Sequence, residues 1–282
     1  MADRYVAKGT TNLGLLTIND NDRVIFAEGE QTITTGTDIT TGHSLAEGLQ
    51  ALIFQRTAAI KVPAQSPLKV DIDNTASTSN PQLYYAQNTG EVWIQPSGDD
   101  NLIKRAKHIG RSSTLGFMGG GTLTTLEQRS GTSIVQSAVA LTNLYLGGGS
   151  ASLLYKSTNA TLIDQAGGSL FSQRAPTTGY FHGGKAVFSL EDSSASLPTA
   201  TLIRCDGNAD VTWRLGDITT LYLLGPNAVF DISNIVANIT IAAFIVDSLA
   251  MRNPRNKHLI ASLFSATKTA VTVLYDESDS LA

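Results

Sequence analysis

The sequence predicts a mainly β protein: a parallel β-helix (β-solenoid) of about four to five coils, preceded by a small α+β unit and an extended N-terminal arm. Two observations lead to this prediction. Glycine triplets at 119–121 and 147–149 open two runs that superimpose when Gly119 is laid on Gly147. In addition, short runs of β-branched and apolar residues alternate with Gly, Asn and Asp turns, and these runs are too short for helices.

The repeat assigns an interior to the predicted column. The same superposition places Leu126 on Leu154 and Ile134 on Leu162, and further repeats start near residues 183 and 225. In a solenoid, matching positions point the same way and stack at about 4.8 Å. The residues expected to face inward are Leu126, Ile134, Leu154, Leu162, Ile163 and Leu202.

Composition limits the possible classes of protein. The chain has 282 residues, a formal net charge of −4 and only 16% charged residues, which favours a surface that is partly covered by partners. One cysteine excludes a disulfide framework and a cysteine-based zinc site, so we expect Cys205 to be a small buried residue. We expect no membrane crossing, because no apolar run approaches the length of a membrane-spanning helix and the N-terminal stretch lacks a signal-peptide core.

Residues 1–43 are predicted to form the extended arm. Their Thr- and Gly-rich second half offers little to pack, and such a segment becomes ordered mainly by binding something else. Two strand-like runs flank the turn cluster at 19–22. Their apolar side chains are the candidate anchors on a neighbouring subunit or a partner: Leu15, Leu16, Ile18, Val24, Ile25 and Phe26.

Residues 44–98 are predicted to form the α+β unit. Ser44 and Glu47 have capping-box spacing, and the apolar stripe that follows predicts a short helix from Leu45 to about Phe54. Strands then follow, and prolines confine several of them to edges or strand ends. The β-helix occupies 99–246, and residues 247–282 form a C-terminal cap or tail that includes closing strands within 259–275.

Two positive clusters flank the predicted column, at 102–111 and at 252–258. Nucleic-acid binding is disfavoured, because neither cluster contains the interleaved aromatic residues that such binding uses and the whole chain is acidic. Two interpretations stay open. The clusters are either ordinary solvated or capping residues, or they contact an acidic protein surface.

No catalytic, metal or cofactor site is predicted. The sequence lacks phosphate-loop, zinc-protease, nucleophile-elbow and CxxC motifs, and its four histidines have no metal-ligand spacing. Carboxylates one coil apart could form an acid/base pair for glycoside cleavage, with Trp213 and Tyr222 lining a sugar groove. Turn chemistry and strand packing explain the same residues more simply. The carboxylates are Glu191, Asp192, Asp206, Asp210 and Asp217.

Residues 45–246 resemble the β-helical structural proteins of tailed bacteriophages that decorate or cement the head. The residues that carry the resemblance are those at 91–94, 102–105, 119–128 and 220–223. The resemblance implies a virion protein, made in the host cytoplasm, that binds the major capsid protein on the capsid surface, commonly as a trimer. It implies no reaction, and the sequence features described above predict no cofactor, no nucleic-acid partner and no membrane. The candidate anchors of the arm would then lie on the capsid or on a neighbouring subunit.

Two other classes share the fold. A receptor-binding or polysaccharide-degrading tail spike or fibre would be expected to have many more coils and a carboxylate-lined groove, and neither is evident in this sequence. A bacterial adhesin is disfavoured by the missing export signal.

Overall fold

Two compact units, Met1–Lys156 and Ser157–Ala282, make up the chain. Both are built almost entirely of β-strands. The computed structural model describes residues 2–6, 9–11, 22–27, 29–33, 38–40, 51–56, 58–61, 68–73, 82–96, 102–154, 156, 158–190, 197–233, 239–257, 259–260 and 270–274.

The strands of the first unit are short. In chain order they are β1 (Asp3–Val6), β2 (Gly9–Thr11), β3 (Arg23–Phe26), β4 (Gly29–Ile33), β5 (Asp38–Thr40), β6 (Ala51–Phe54), β7 (Ala58–Lys61), β8 (Leu68–Asp73), β9 (Gln82–Tyr85), β10 (Thr89–Pro96), β11 (Leu102–His108), β12 (Ser112–Phe117), β13 (Thr122–Gln128), β14 (Thr132–Val135), β15 (Ala140–Leu146) and β16 (Ser150–Leu153).

The second unit contains longer strands and a short helix. Its elements are β17 (Ala160–Gln165), β18 (Ser169–Ser172), β19 (Pro176–Ser189), β20 (Ala200–Arg214), β21 (Ile218–Leu223), β22 (Val229–Asp231), β23 (Ile241–Asp247), α1 (Ser248–Arg252), a 3₁₀ turn at Pro254–Asn256 and β24 (Ala270–Leu274).

Parallel pairing between the strands of successive coils identifies both units as β-solenoid. In the first unit β1, β3, β6, β9, β11, β13 and β15 pair in that order to form the front sheet, and β8, β10, β12, β14 and β16 form a second sheet. In the second unit β17, β19, β20, β21, β23 and β24 pair in the same manner. Each strand therefore bonds to its equivalent one coil away.

The number of coils is larger than the sequence predicted. The solenoid has about eight turns, whereas about four to five coils were expected. The coils are shorter than the repeat suggested, because Leu126 pairs with Leu144 rather than with the more distant Leu154. The offset between the two glycine triplets corresponds to about one and a half coils. It aligns the triplet at 119–121, which precedes β13, with the triplet at 147–149, which follows β15.

A hexapeptide pattern marks the interior of the coils that contain β13, β15, β17, β21 and β23. The first, fourth and sixth positions are buried, and the residues between them face outward. In two successive coils of the first unit the buried residues are Leu123, Leu126 and Gln128, then Leu141, Leu144 and Leu146.

This pattern corrects most of the predicted interior. Leu126 and Ile163 are buried, as predicted. The other four predicted residues are only half-buried: Ile134, Leu154, Leu162 and Leu202. In β14, for example, Ser133 and Val135 take the inward positions, so pleat alternation turns Ile134 to the other side.

The predicted α+β unit and the predicted arm also need correction. Residues 51–54 are the strand β6, with Leu52 and Phe54 buried, whereas residues 45–50 of the predicted helix lie outside the described residues. Within 1–43, β1 and β3 pair in parallel with each other, and β3 pairs with β6. These parts of the predicted arm belong to the solenoid, because Val6, Val24 and Phe26 alternate inward and bury apolar surface.

The C-terminal segment packs a helix against its own unit. Asp247 caps α1 by accepting a hydrogen bond from the Ala250 amide at 2.6 Å. Asn256 is buried, donates to the carbonyl oxygens of Ala228 and Ala250 at 3.1 and 2.9 Å, and accepts from the Phe230 amide. Of the predicted closing strands, β24 is present, whereas residues 259 and 260 are helical.

Among the described residues, no helix has the length and apolar character needed to cross a membrane.

A corner glycine provides a test of this register. Gly149 has φ +74°, and a Cβ there would overlap the Gly131 carbonyl oxygen of the previous coil. We predict that Gly149→Ala lowers the free energy of unfolding by about 2 kcal/mol or more, because it adds backbone strain and a steric clash. Urea denaturation followed by circular dichroism measures this change.

Gly147→Ala is the matched control, because its added Cβ would lie 3.8 Å from the nearest backbone oxygen. It should change the free energy of unfolding by less than about 0.5 kcal/mol. Equal effects of the two substitutions would contradict the described corner.

Candidate interaction surface

One outward row of side chains runs along the front sheet of the first unit. The strand register stacks its members coil by coil in the order Tyr5, Ile25, Ile53, Tyr84, Lys107, Glu127 and Tyr145. We call this the tyrosine row. Its three tyrosines recur every third coil, which separates them by roughly 14 Å along the axis.

The tyrosine row holds the exposed large hydrophobic side chains of the described residues. Tyr5, Tyr84 and Tyr145 are 55%, 39% and 40% exposed. Among the residues whose burial the structure describes, these three are the large hydrophobic side chains that are exposed, and all three lie in this row. Tyrosine provides wide contact area and a hydroxyl at low entropic cost, and for that reason it is enriched at the centres of interfaces.

A parallel row, two positions earlier on each strand, provides charge. Its members are Asp3, Arg23, Ala51, Gln82, Arg105, Thr125 and Asn143. Arg23 pairs with Asp3 on the preceding coil at 2.6 Å, and Arg105 pairs with Glu127 on the following coil. Both arginine side chains remain 40% or more exposed, so their unused N–H groups are available to a partner.

A groove of about 410 Å³ lies between the two rows. We call it the basic groove, because three cationic side chains and no carboxylate line it. The lining residues are Arg23, Ala51, Ile53, Gln82, Leu83, Tyr84, Arg105 and Lys107. Its volume is within the range of small-ligand sites, and it is open on the outer face of the sheet.

Behind the same strands lies a buried polar cluster centred on His108. The imidazole Nδ1 is 3.1 Å from Gln128 Oε1 and 3.0 Å from Ser133 Oγ, and Nε2 is 2.9 Å from Ser113 Oγ. The Tyr85 ring of the preceding coil contacts it at a tilt of 59°, with ring centroids 5.0 Å apart. Burial lowers the pKa of His108 to about 4, although the hydrogen bond to Gln128 partly opposes the shift. We regard the cluster as a neutral structural element of the interior.

The acidic residues that suggested catalysis have structural partners where they are described. Asp206 accepts from His182 at 2.6 Å and from Arg204 at 2.9 Å. Asp210 accepts two hydrogen bonds from Arg255, at 2.9 and 2.8 Å. Asp217 accepts from the Thr240 amide at 2.6 Å, whereas Glu191 and Asp192 lie outside the described residues.

The two aromatic residues considered for a sugar groove differ in their burial. Trp213 is fully buried and packs between Phe188 and Phe230, with ring centroids 4.9 and 6.2 Å away. Tyr222 is half-buried and faces outward beside Arg204 in the register. Cys205 is buried, as predicted, and burial raises the pKa of its thiol.

The predicted anchors are placed differently from the tyrosine row. Val24 and Phe26 are in the interior, where Phe26 stacks on Phe54 at 4.4 Å. Ile25 belongs to the tyrosine row but is only 6% exposed. Leu15, Leu16 and Ile18 lie outside the described residues. Binding through Val24 or Phe26 would require them to leave their packing inside the first unit.

Metal binding finds no support in the described ranges, where no group of three or more His, Cys, Asp or Glu side chains could hold a metal ion. His108 is interior and His182 is on the surface, and His43 and His258 are outside those ranges.

Comparison of the chain with protein-family models, curated protein sequences and solved structures yields no significant match.

Sequence reasoning missed the tyrosine row because its members are far apart in the chain and recur at irregular intervals. The hexapeptide pattern of buried first, fourth and sixth positions provides the missing signal, since its fifth position falls on this row. In β13 and β15 that position is Glu127 and Tyr145. A search for this pattern would have found the coil length over β11, β13 and β15 and the part of the row from Lys107 to Tyr145, but not the strands that carry Tyr5 and Tyr84.

The buried imidazole predicts a specific pH dependence. The pKa of His108 is about 4 in the folded chain and 6.5 when unperturbed, so the unfolded state binds the extra proton between these values. The stability from neutral His108 is present above pH 6.5 and is lost as the pH falls towards 4. We expect this loss to be about 3 kcal/mol.

His108→Gln serves as the matched variant, because glutamine occupies the equivalent interior position in the next coil. Urea denaturation between pH 7 and pH 4 should show the extra loss in the wild type and not in the variant. Parallel pH profiles would contradict a buried neutral His108.

Proposed function

We propose that this chain is a non-enzymatic structural protein of a tailed-phage virion that binds the capsid surface and decorates or stabilises it. The tyrosine row carries the proposal. Three exposed tyrosines in one row of the front sheet, flanked by partly exposed arginines, have the composition of a protein-binding surface. The resemblance of residues 45–246 to head-decorating β-helical proteins supports the same conclusion.

The described interior favours a rigid scaffold. In both units the inward positions are filled mainly by apolar side chains stacked on their equivalents in neighbouring coils. The described carboxylates that could have served catalysis are committed to ion pairs or backbone amides. A scaffold of this kind exerts its effect by presenting surface side chains at fixed spacing.

Attachment is proposed to use the outer face of the first unit. This assignment keeps binding near the N-terminal third of the chain but moves it from the buried residues of β3 to the exposed tyrosines. A homotrimer, with the major capsid protein as its partner, would present three copies of this face, and simultaneous contacts would raise avidity.

A tail spike or fibre component that binds or degrades surface polysaccharide is the second candidate. Coil number no longer argues against it, because the solenoid has about eight turns rather than four to five. In the second unit, moreover, Tyr180 stacks on His182 with centroids 6.4 Å apart, beside Asp206. Release of reducing sugar from host polysaccharide by the purified chain would favour this candidate.

Binding to undecorated heads tests the proposal directly. We expect Tyr84→Ser to reduce affinity for heads about tenfold, because a central interface tyrosine contributes more than about 1 kcal/mol. Co-sedimentation of the purified chain with undecorated heads measures this affinity.

Tyr180→Ser is the control, since it removes an outward tyrosine from the second unit and should leave head binding unchanged. Failure of the wild-type chain to co-sediment would overturn the proposed function. Equal losses in the two variants would overturn its assignment to the first unit.

A further inference from the structure

The basic groove has a short positive stretch with an apolar floor. Arg23, Arg105 and Lys107 provide its charge, and Ala51 and Ile53 lie between them on the coil of β6. Tyr84 stands beside this floor with 39% of its surface exposed. The chain as a whole carries a net charge of −4, whereas the charged side chains that line this groove are positive.

The charge is confined along the solenoid axis. Asp3 lies on the coil before Arg23, and Glu127 lies on the coil after Lys107. The positive stretch therefore covers four coils, from β3 to β11, or roughly 14 Å between its end strands. A longer polyanion would meet a carboxylate at each end, whereas about five extended residues would fit between them.

The chain's own carboxylates show how the groove receives an acidic side chain. Asp3 accepts hydrogen bonds from two nitrogens of Arg23, at 2.7 and 2.6 Å, and Glu127 accepts from Arg105. Arginine matches carboxylate geometry and keeps donors free after one such contact. Lys107 has no ion pair within the described part of the chain, so its charge is available to a ligand.

We propose that the basic groove binds a short, extended, acidic segment of a partner protein. Its carboxylates contact Lys107 and Arg105, and an apolar side chain between them lies over Ile53 against Tyr84. Gln82 offers an amide donor and acceptor to the segment's backbone. This inference rests on the proposed function, since it defines the chemistry of the capsid segment that the first unit recognises.

Fluorescence anisotropy with a labelled peptide tests the groove by itself. The probe is the capped peptide Gly-Glu-Leu-Glu-Leu-Gly, and its counterpart with glutamine in place of glutamate is the neutral control. We expect the full chain to bind the acidic peptide and Lys107→Gln to weaken binding about tenfold, since a charge-assisted hydrogen bond is lost. Arg105→Gln should weaken it similarly.

Lys104→Gln is the matched control, because Lys104 is exposed on the same strand and does not line the groove. It should change the peptide affinity by less than about twofold. All three variants should keep the wild-type circular dichroism spectrum and thermal midpoint, which separates lost binding from unfolding.

Three results would overturn the inference. They are no binding of the acidic peptide to the wild type, equal binding of the neutral peptide, and equal losses from Lys104→Gln and Lys107→Gln. Tighter binding of polygalacturonate than of the peptide would assign the groove to an acidic saccharide instead.

Co-sedimentation with heads distinguishes a wrong assignment of the basic groove from a wrong proposed function. If the wild type binds heads and Lys107→Gln binds them equally well, only the groove assignment is wrong. If the wild type does not bind heads, the proposed function is wrong, and the peptide measurement still decides the chemistry of the groove.

Discussion

In-register stacking of parallel strands determines almost every other feature of this chain. Because the backbone groups of each coil bond to the coils before and after it, a side chain is set directly on its equivalents about 4.8 Å away. Inward side chains therefore pack against their equivalents in the neighbouring coils. Phe26, Phe54, Tyr85 and His108 occupy one inward row, in which each ring contacts the next. In the following coil Gln128 takes the equivalent position, and its Oε1 lies 3.1 Å from the imidazole Nδ1.

The same constraint organises the outer surface. An outward residue is placed in a row with its equivalents, so single exposed residues far apart in sequence become a continuous surface. Tyr5, Tyr84 and Tyr145 belong to one row for this reason. The three cations of the basic groove lie in two adjacent rows, Lys107 in the tyrosine row and Arg23 and Arg105 in the row beside it. A fold of stacked coils acts by presenting such rows, which is why we infer binding through a surface and not through a deep cleft.

The class of fold could be predicted from the sequence, because short β-branched runs broken by glycine have few other solutions. The coil length could not be predicted in this way. The two glycine-led runs resemble each other although they lie about one and a half coils apart, because strands of both sheets show the same alternation of apolar and polar residues. That error placed Ile134 and Leu154 inside and hid the tyrosine row. The capping-box spacing at Ser44 predicted a helix where Leu52 and Phe54 instead continue a strand, because stacking between coils outweighs local helical preference.

Chemical cross-linking of neighbouring coils tests the register on which this account depends. Thr125 and Asn143 are paired across β13 and β15, so cysteines at both positions should be joined by a short thiol cross-linker. The native Cys205 is buried and should not compete. The account predicts efficient cross-linking in the Thr125→Cys/Asn143→Cys variant and none in the Thr125→Cys/Leu153→Cys variant, whose positions match in the superposition of the glycine triplets. Cross-linking of the second pair instead of the first would contradict it.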